Sequence, residues 1–174
     1  LRTLPRKLKV AITGSGTRTN SVFPLGRKVS TGAASDLEDQ SITGIIEGQG
    51  APVTAEGIAT GGKGYSFSSA TAVPTVALTG SGTGLTVNVT LSSGVVTGVA
   101  INAGGTGYQV GDVFTFDNSN AQVIRGAGFK GAVETINSTF DTLYLTDVQG
   151  EKFTNGETLV QYGATNDTRT VATN

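Results

Sequence analysis

Residues 80–116, GSGTGLTVNVTLSSGVVTGVAINAGGTGYQVGDVFTF, decide how this chain folds. Leu85, Val87, Val89 and Leu91 alternate with Thr86, Asn88 and Thr90. A period of two puts the apolar residues on one face and the polar residues on the other, the pattern of a half-buried strand. Ser92-Ser93-Gly94 is a short polar break, after which Val95, Val99 and Ile101 resume the alternation. Two alternating runs joined by a short loop containing Gly predict an antiparallel hairpin. A second break, Gly104-Gly105-Thr106-Gly107, leads through Tyr108 and Gly111-Asp112 to a last strand, Val113–Phe116. The stretch reads as a small β-meander with no evident catalytic group.

Working outward, Gly61-Gly62-Lys63-Gly64-Tyr65 echoes Gly104-Gly105-Thr106-Gly107-Tyr108, forty-three residues later. A Gly-x-Gly-Tyr turn therefore brackets the meander at each end. The expected structural roles fall on Gly62, Gly64, Tyr65, Gly105, Gly107, Tyr108, Gly111 and Asp112. Glycine supplies the positive-φ positions. The tyrosine ring covers bare glycine backbone while its hydroxyl reaches water or a carbonyl. A Gly-Asp pair ahead of a strand lets the carboxylate accept nearby backbone N–H groups. This predicts a compact module from Gly57 to about Asn118.

The flanks are read the same way. Lys7–Thr13 (KLKVAIT) alternates well enough for a strand, and Ile42–Ile46 for another short one. Residues 14–35, rich in Gly, Ser and Thr, form a connector. Ser35 with Glu38, a capping box, is the only plausible helix start, and its pattern ends by Gly44, a turn or two at most. Downstream, Lys130–Ile136 and Thr142–Val148 are candidate strands, with Leu143, Leu145 and Asp147 on one face of the second. Asn155-Gly156 is a hairpin signal, and Arg169–Ala172 would close the sheet. The expected fold is mostly β: an extended basic arm with one or two short strands over 1–50, then two small antiparallel modules of sandwich or meander type over 51–120 and 121–174.

Composition narrows the chemistry. Glycine is 26 of 174 residues, charged residues are 14 %, and Cys, His, Met and Trp are absent. Ser-His-Asp triads, Cys proteases and the usual zinc sites are excluded by that inventory. Gly62-Lys63-Gly64 fails as a phosphate-binding loop, and no Gly-x-Gly-x-x-Gly dinucleotide fingerprint is expected, since the Gly-x-Gly pairs sit between strands with no helix to follow. Asp112 and Asp117 are the nearest pair of carboxylates for glycoside hydrolysis, but turn formation is the better use of both. Asp117-Asn118-Ser119-Asn120 offers oxygens without the spacing of a calcium loop. The expectation is a non-enzyme without cofactor, metal or small-molecule substrate. No apolar run approaches the roughly 20 residues that span a bilayer, so no membrane partner is expected. The basic start lacks the apolar segment of a signal peptide, and the absence of Met at position 1 reads as a processed product or part of something longer.

Charge is unevenly placed. Residues 1–28 hold seven of the twelve basic groups (Arg2, Arg6, Lys7, Lys9, Arg18, Arg27 and Lys28) and no acid; the rest of the chain carries a net −8. A basic arm ahead of an acidic body suggests docking on the acidic body of a neighbouring copy. Nucleic acid is the weaker alternative, because Phe23 is the one aromatic residue available there for stacking.

The quoted stretch resembles a module common in virion structural proteins of tailed bacteriophages, especially the large T4-like phages of marine cyanobacteria. The resemblance lies in the Gly80–Gly84 turn, the Val/Thr hairpin Leu85–Ile101, and the Gly-x-Gly-Tyr-x-x-Gly-Asp turn Gly105–Asp112. Phe140–Leu159, FDTLYLTDVQGEKFTNGETL, is similar to a second short β-module of that class. The two cover about half the chain. The first Gly-x-Gly-Tyr copy departs from the pattern, since Tyr65 is followed by SFSSATAVP without Gly-Asp. The resemblance implies a structural protein of the phage particle in tail, neck or baseplate, ahead of head decoration. Its partners would be copies of itself and other virion proteins, joined through edge strands and apolar faces. The alternative is a receptor- or carbohydrate-binding β-module of a fibre or adhesin, for which Tyr65 and Tyr108 would be the first residues to mutate.

Overall fold

The computed structural model describes residues 7–13, 25–26, 28–31, 43–119, 125–149, 158–161 and 168–171. These residues form strands and turns, with no helix among them. The strands in chain order are β1 (Leu8–Thr13), β2 (Lys28–Thr31), β3 (Thr43–Gly50), β4 (Val53–Lys63), β5 (Ser69–Ala77), β6 (Thr83–Ser92), β7 (Val95–Thr106), β8 (Val113–Phe116), β9 (Ala127–Ile136), β10 (Thr142–Gln149), β11 (Thr158–Gln161) and β12 (Thr168–Val171). The expected mostly β fold is what the chain adopts. The expected capping box at Ser35, the Asn155-Gly156 hairpin, and Arg2, Arg6, Arg18 and Arg27 lie outside the described residues.

The chain divides into two compact units, residues 50–137 and residues 1–49 with 138–174. This differs from the expected division at 50 and 120. Residues 1–50 supply three strands to a closed barrel of order β1-β10-β3-β2-β11-β12, rather than an arm followed by separate modules. The physical reason is apolar pairing between distant segments. Leu8 pairs with Leu145 and Val10 with Leu143 across an antiparallel β1–β10 ladder, and β12 returns to pair with the end of β1. Val10, Ile12, Val29, Ile46, Leu143 and Leu145 are all buried.

One feature of β10 departs from its sequence pattern. Strict alternation places Asp147 on the face of Leu143 and Leu145, but Asp147 is exposed and Val148 is buried. Asp147 has φ +52°, which re-phases the strand by one residue and turns Val148 inward. Without that step a carboxylate would sit in the barrel interior, a cost of several kcal/mol.

Residues 50–137 form a six-stranded sheet of order β4-β9-β8-β5-β6-β7. The β6–β7 hairpin turns through Ser93 (φ +51°) and Gly94 (φ +76°), and Leu85, Val87 and Val89 are buried by their alternation. The expected meander does not continue past it. β8 leaves β7 and pairs with β5 and β9 instead. The free edge of β7 is already turned toward β4. At one end Ala51 and Tyr108 exchange backbone hydrogen bonds (3.0 and 3.1 Å), and at the other Tyr65 N–H donates to Gly94 O (3.2 Å). Between those ties the backbones touch where side chains are missing: a Cβ on Gly61 would strike Val96, and one on Gly104 would strike Val53. The sheet thus curls until its two edge strands face each other.

The module also extends beyond the expected limit at residue 120. β9 pairs along almost all of β4, from Val53 with Ile136 to Lys63 with Ala127. Its first and last strands are therefore neighbours, and Asn137 N–H donates to Pro52 O at 2.8 Å. In sequence the module is an insertion between β3 and β10, which are themselves neighbours in the barrel.

Candidate functional site

The residues singled out by sequence fall at the two Gly-x-Gly-Tyr turns. Gly62, Gly64, Gly105 and Gly107 all have positive φ, between +65° and +79°. The first glycine of each turn lies flat against a neighbouring ladder: a Cβ on Gly62 would meet backbone of Ala127–Phe129, and one on Gly105 would meet backbone of Thr83–Leu85. Left-handed backbone and close approach together require glycine there.

Each tyrosine then covers a distant glycine rather than one in its own turn. The Tyr65 ring lies on Gly126 and the Tyr108 ring on Gly82. Both rings are in the core, at 6 % and 0 % exposure. Tyr65 packs edge-on to Phe67 and Phe116 (centroids 5.9 and 5.8 Å), and Phe116 stacks on Phe129 at 4.0 Å. Phe129 N–H donates a long 3.4 Å hydrogen bond to the Tyr65 hydroxyl. The Tyr108 hydroxyl is buried beside Thr75 and Leu85, but Thr75 Oγ1 gives its own proton to Leu85 O (2.9 Å), leaving Tyr108 no well-formed hydrogen bond. Burial pushes both phenols above the ordinary tyrosine range.

Asp112, nearly buried, holds the turn after Tyr108. Its Oδ2 accepts the Gln109 N–H at 2.9 Å, and its own N–H donates to Gln109 O at 3.1 Å. The turn is stitched onto β9 by Gly111 N–H to Val133 O and Val133 N–H to Asp112 O. The carboxylate rests against Gly80, where a Cβ would collide with it. Gly111 has φ +89° with open space around it, so its role is conformational alone. Asp117 accepts from the Ser119 N–H and hydroxyl (2.9 and 2.7 Å), and the hydroxyl first, then the backbone, holds its carboxyl below the usual range. Both aspartates suggested for glycoside hydrolysis are thus engaged in local turns. Among the described residues no three acidic side chains gather as a metal site, and no helix is long and apolar enough to cross a membrane.

Of the basic residues, Lys7 Nζ pairs with Glu47 of the same barrel at 2.9 Å, with the lysine largely exposed. Lys9 lies on β1 opposite Tyr144, and Lys28 on β2 opposite Ile45. These three belong to the barrel wall rather than to a detached arm.

Three features had no reading at the sequence level. Ala72 takes φ +52° inside β5, where its N–H donates to Asn88 Oδ1 at 3.0 Å. The same bulge shapes a depression of about 250 Å³ over Ser69, Asn88, Thr90 and Gly98, with no ionisable residue in its lining. Glu134 reaches over Gly57 beside Glu56, whose carboxyl is raised by burial and then by the Glu134 charge. The third corrects the expectation that no dinucleotide fingerprint occurs: Gly126-Ala127-Gly128-Phe129-Lys130-Gly131 has that spacing, but it runs into β9 with no helix to follow, so its amides join a sheet ladder.

No protein-family model matches the chain, and no match is found among curated proteins or solved structures.

Proposed function

We propose that this chain is a structural protein of a tailed-phage particle, in tail, neck or baseplate, acting by packing against copies of itself and other virion proteins. The observation that carries the reading is the use made of residues 80–116, the stretch that resembles the phage module. Its glycine turns and Tyr108 are spent, together with Tyr65 from outside the stretch, on closing a β-module whose two ends meet. A module with adjacent ends can be inserted into a host barrel and present its faces without breaking the host.

The route to assembly differs from strand addition at sheet edges. The barrel is closed and the module's edge strands face each other, so faces and loops carry the contacts. Exposed Val76 (47 %), Leu78 (51 %) and Val110 (63 %) supply apolar area on the module. Carbohydrate binding through Tyr65 and Tyr108 is disfavoured because both rings are buried. An adhesin would need other residues.

Light scattering behind a sizing column tests the reading. A mass above the monomer that rises with concentration supports subunit packing. A monomer at every concentration that nevertheless adheres to host cells would replace it with the adhesin reading. The contribution of the basic residues is tested by Lys9→Glu and Lys28→Glu at low and high salt. Truncation to residue 28 would remove β1 and unfold the barrel.

A further inference from the structure

We infer that residues 50–137 are two copies of one three-stranded unit, each of which presents a surface made to fit a second copy of itself. The first copy is β4, a Gly-x-Gly-Tyr turn, β5 and β6; the second is β7, a Gly-x-Gly-Tyr turn, β8 and β9. The strand order β4-β9-β8-β5-β6-β7 is unchanged when the copies are exchanged, as a two-fold axis requires.

The register carries the inference, because it is independent of glycine content. In one ladder Gly61 faces Phe129, Thr60 Lys130, Ile58 Gly131, Gly57 Ala132 and Glu56 Val133. In the other Gly104 faces Leu85, Ala103 Thr86, Ile101 Val87, Ala100 Asn88 and Val99 Val89. Adding 43 to each β4 position and subtracting 44 from each β9 position turns these five pairs, and Lys63–Ala127, into pairs of the second ladder; beyond Glu56–Val133 the registers part, since Ala55 faces Thr135 whereas Gly98 faces Thr90. Both skip one residue at the same place, Ala59 and Asn102. The closing ties obey the same shift: adding 43 to Ala51 and Tyr65 gives Gly94 and Tyr108, so the Ala51–Tyr108 pair maps onto Gly94–Tyr65. Phe114 faces Gly131 as Val73 faces Val87. In the central ladder Thr75 then exchanges with its own partner Phe116, and the axis passes between them.

The packing repeats as well. Gly62 lies on Gly128 as Gly105 lies on Gly84, and Tyr65 covers Gly126 as Tyr108 covers Gly82. The cores beneath the tyrosines differ only in filling: Phe116 and Phe129 under Tyr65, Thr75 and Leu85 beside Tyr108. Three of the five ladders (β4–β9, β5–β8, β6–β7) run between copies. One copy alone holds a single hairpin-sized ladder, too little for independent stability. The module is in effect a homodimer joined at Ser92–Gly94.

The test exchanges the four equivalent core pairs in the full chain: Val73/Phe114, Thr75/Phe116, Leu85/Phe129 and Val87/Gly131. The full exchange (V73F, T75F, L85F, V87G, F114V, F116T, F129L and G131V) preserves core composition and turns it about the axis. Its thermal midpoint should exceed that of either half exchange, one of which overfills and the other empties the core. A full exchange no more stable than the worse half overturns the inference. Should none of these variants fold, matched glycine substitutions decide. Gly62→Ala and Gly105→Ala, and likewise Gly84→Ala and Gly128→Ala, should raise the unfolding equilibrium constant by the same factor within each pair. A mismatch of more than about tenfold within a pair overturns the inference.

Discussion

At the residue scale, glycine and tyrosine have separate duties in the two turns. Gly62→Ala and Gly105→Ala each force an L-residue into left-handed backbone, about 1–2 kcal/mol, and drive a methyl into ladder backbone besides. Each should cost about 2 kcal/mol or more in urea unfolding of the full chain. Gly111→Ala, with positive φ but open surroundings, should cost less. Tyr108→Phe removes a buried hydroxyl that has no well-formed partner and should leave stability within about 0.5 kcal/mol of the parent, or raise it. The two phenols also contribute to the alkaline limb. Their folded-state values lie above the unfolded value, so the folded state holds the protons more tightly. That stability is whole below about pH 10 and is lost as pH rises through the folded-state values. The double variant Tyr65→Phe/Tyr108→Phe should flatten the loss above about pH 10 in a titration of unfolding free energy.

At the element scale, β8 is four residues long yet central. Phe116 stacks on Phe129 and meets the edge of Tyr65, so Phe116→Ala should cost about 3–5 kcal/mol. Asp112→Ala strips the acceptor from the Gln109 N–H and should cost about 1–2 kcal/mol while leaving the strands in place, read by unfolding and far-ultraviolet dichroism. The hairpin and the glycine echo were legible in the sequence, because alternation and Gly-x-Gly spacing are local signals. The partners of β8 were not, since nothing local says that β7 spends its second edge on β4. Nor were the phase steps at Ala72 and Asp147. A non-glycine residue with positive φ leaves no mark in an alternating pattern, and each is set by what must be buried next: Val73 in one strand, Val148 in the other.

At the scale of the whole molecule, the barrel is closed by the chain's two ends and the module occupies the connection between them. The pairing of residues 8–11 with 142–145 could not be read ahead, because no local feature of either segment names its partner. The meeting of Val53 with Ile136 makes a sharp prediction. Residues 50–137 expressed alone should unfold cooperatively, whereas residues 51–120, which lack β9, should not. The proposed membership of a phage particle is tested on the particle itself. Particles of a tailed phage whose genome carries this sequence, banded on a density gradient, are assayed by quantitative mass spectrometry for peptides of this chain. Its peptides should co-band with intact particles at a fixed copy number, greater than one per particle. Peptides confined to the soluble lysate, with none in the particle band, would contradict it.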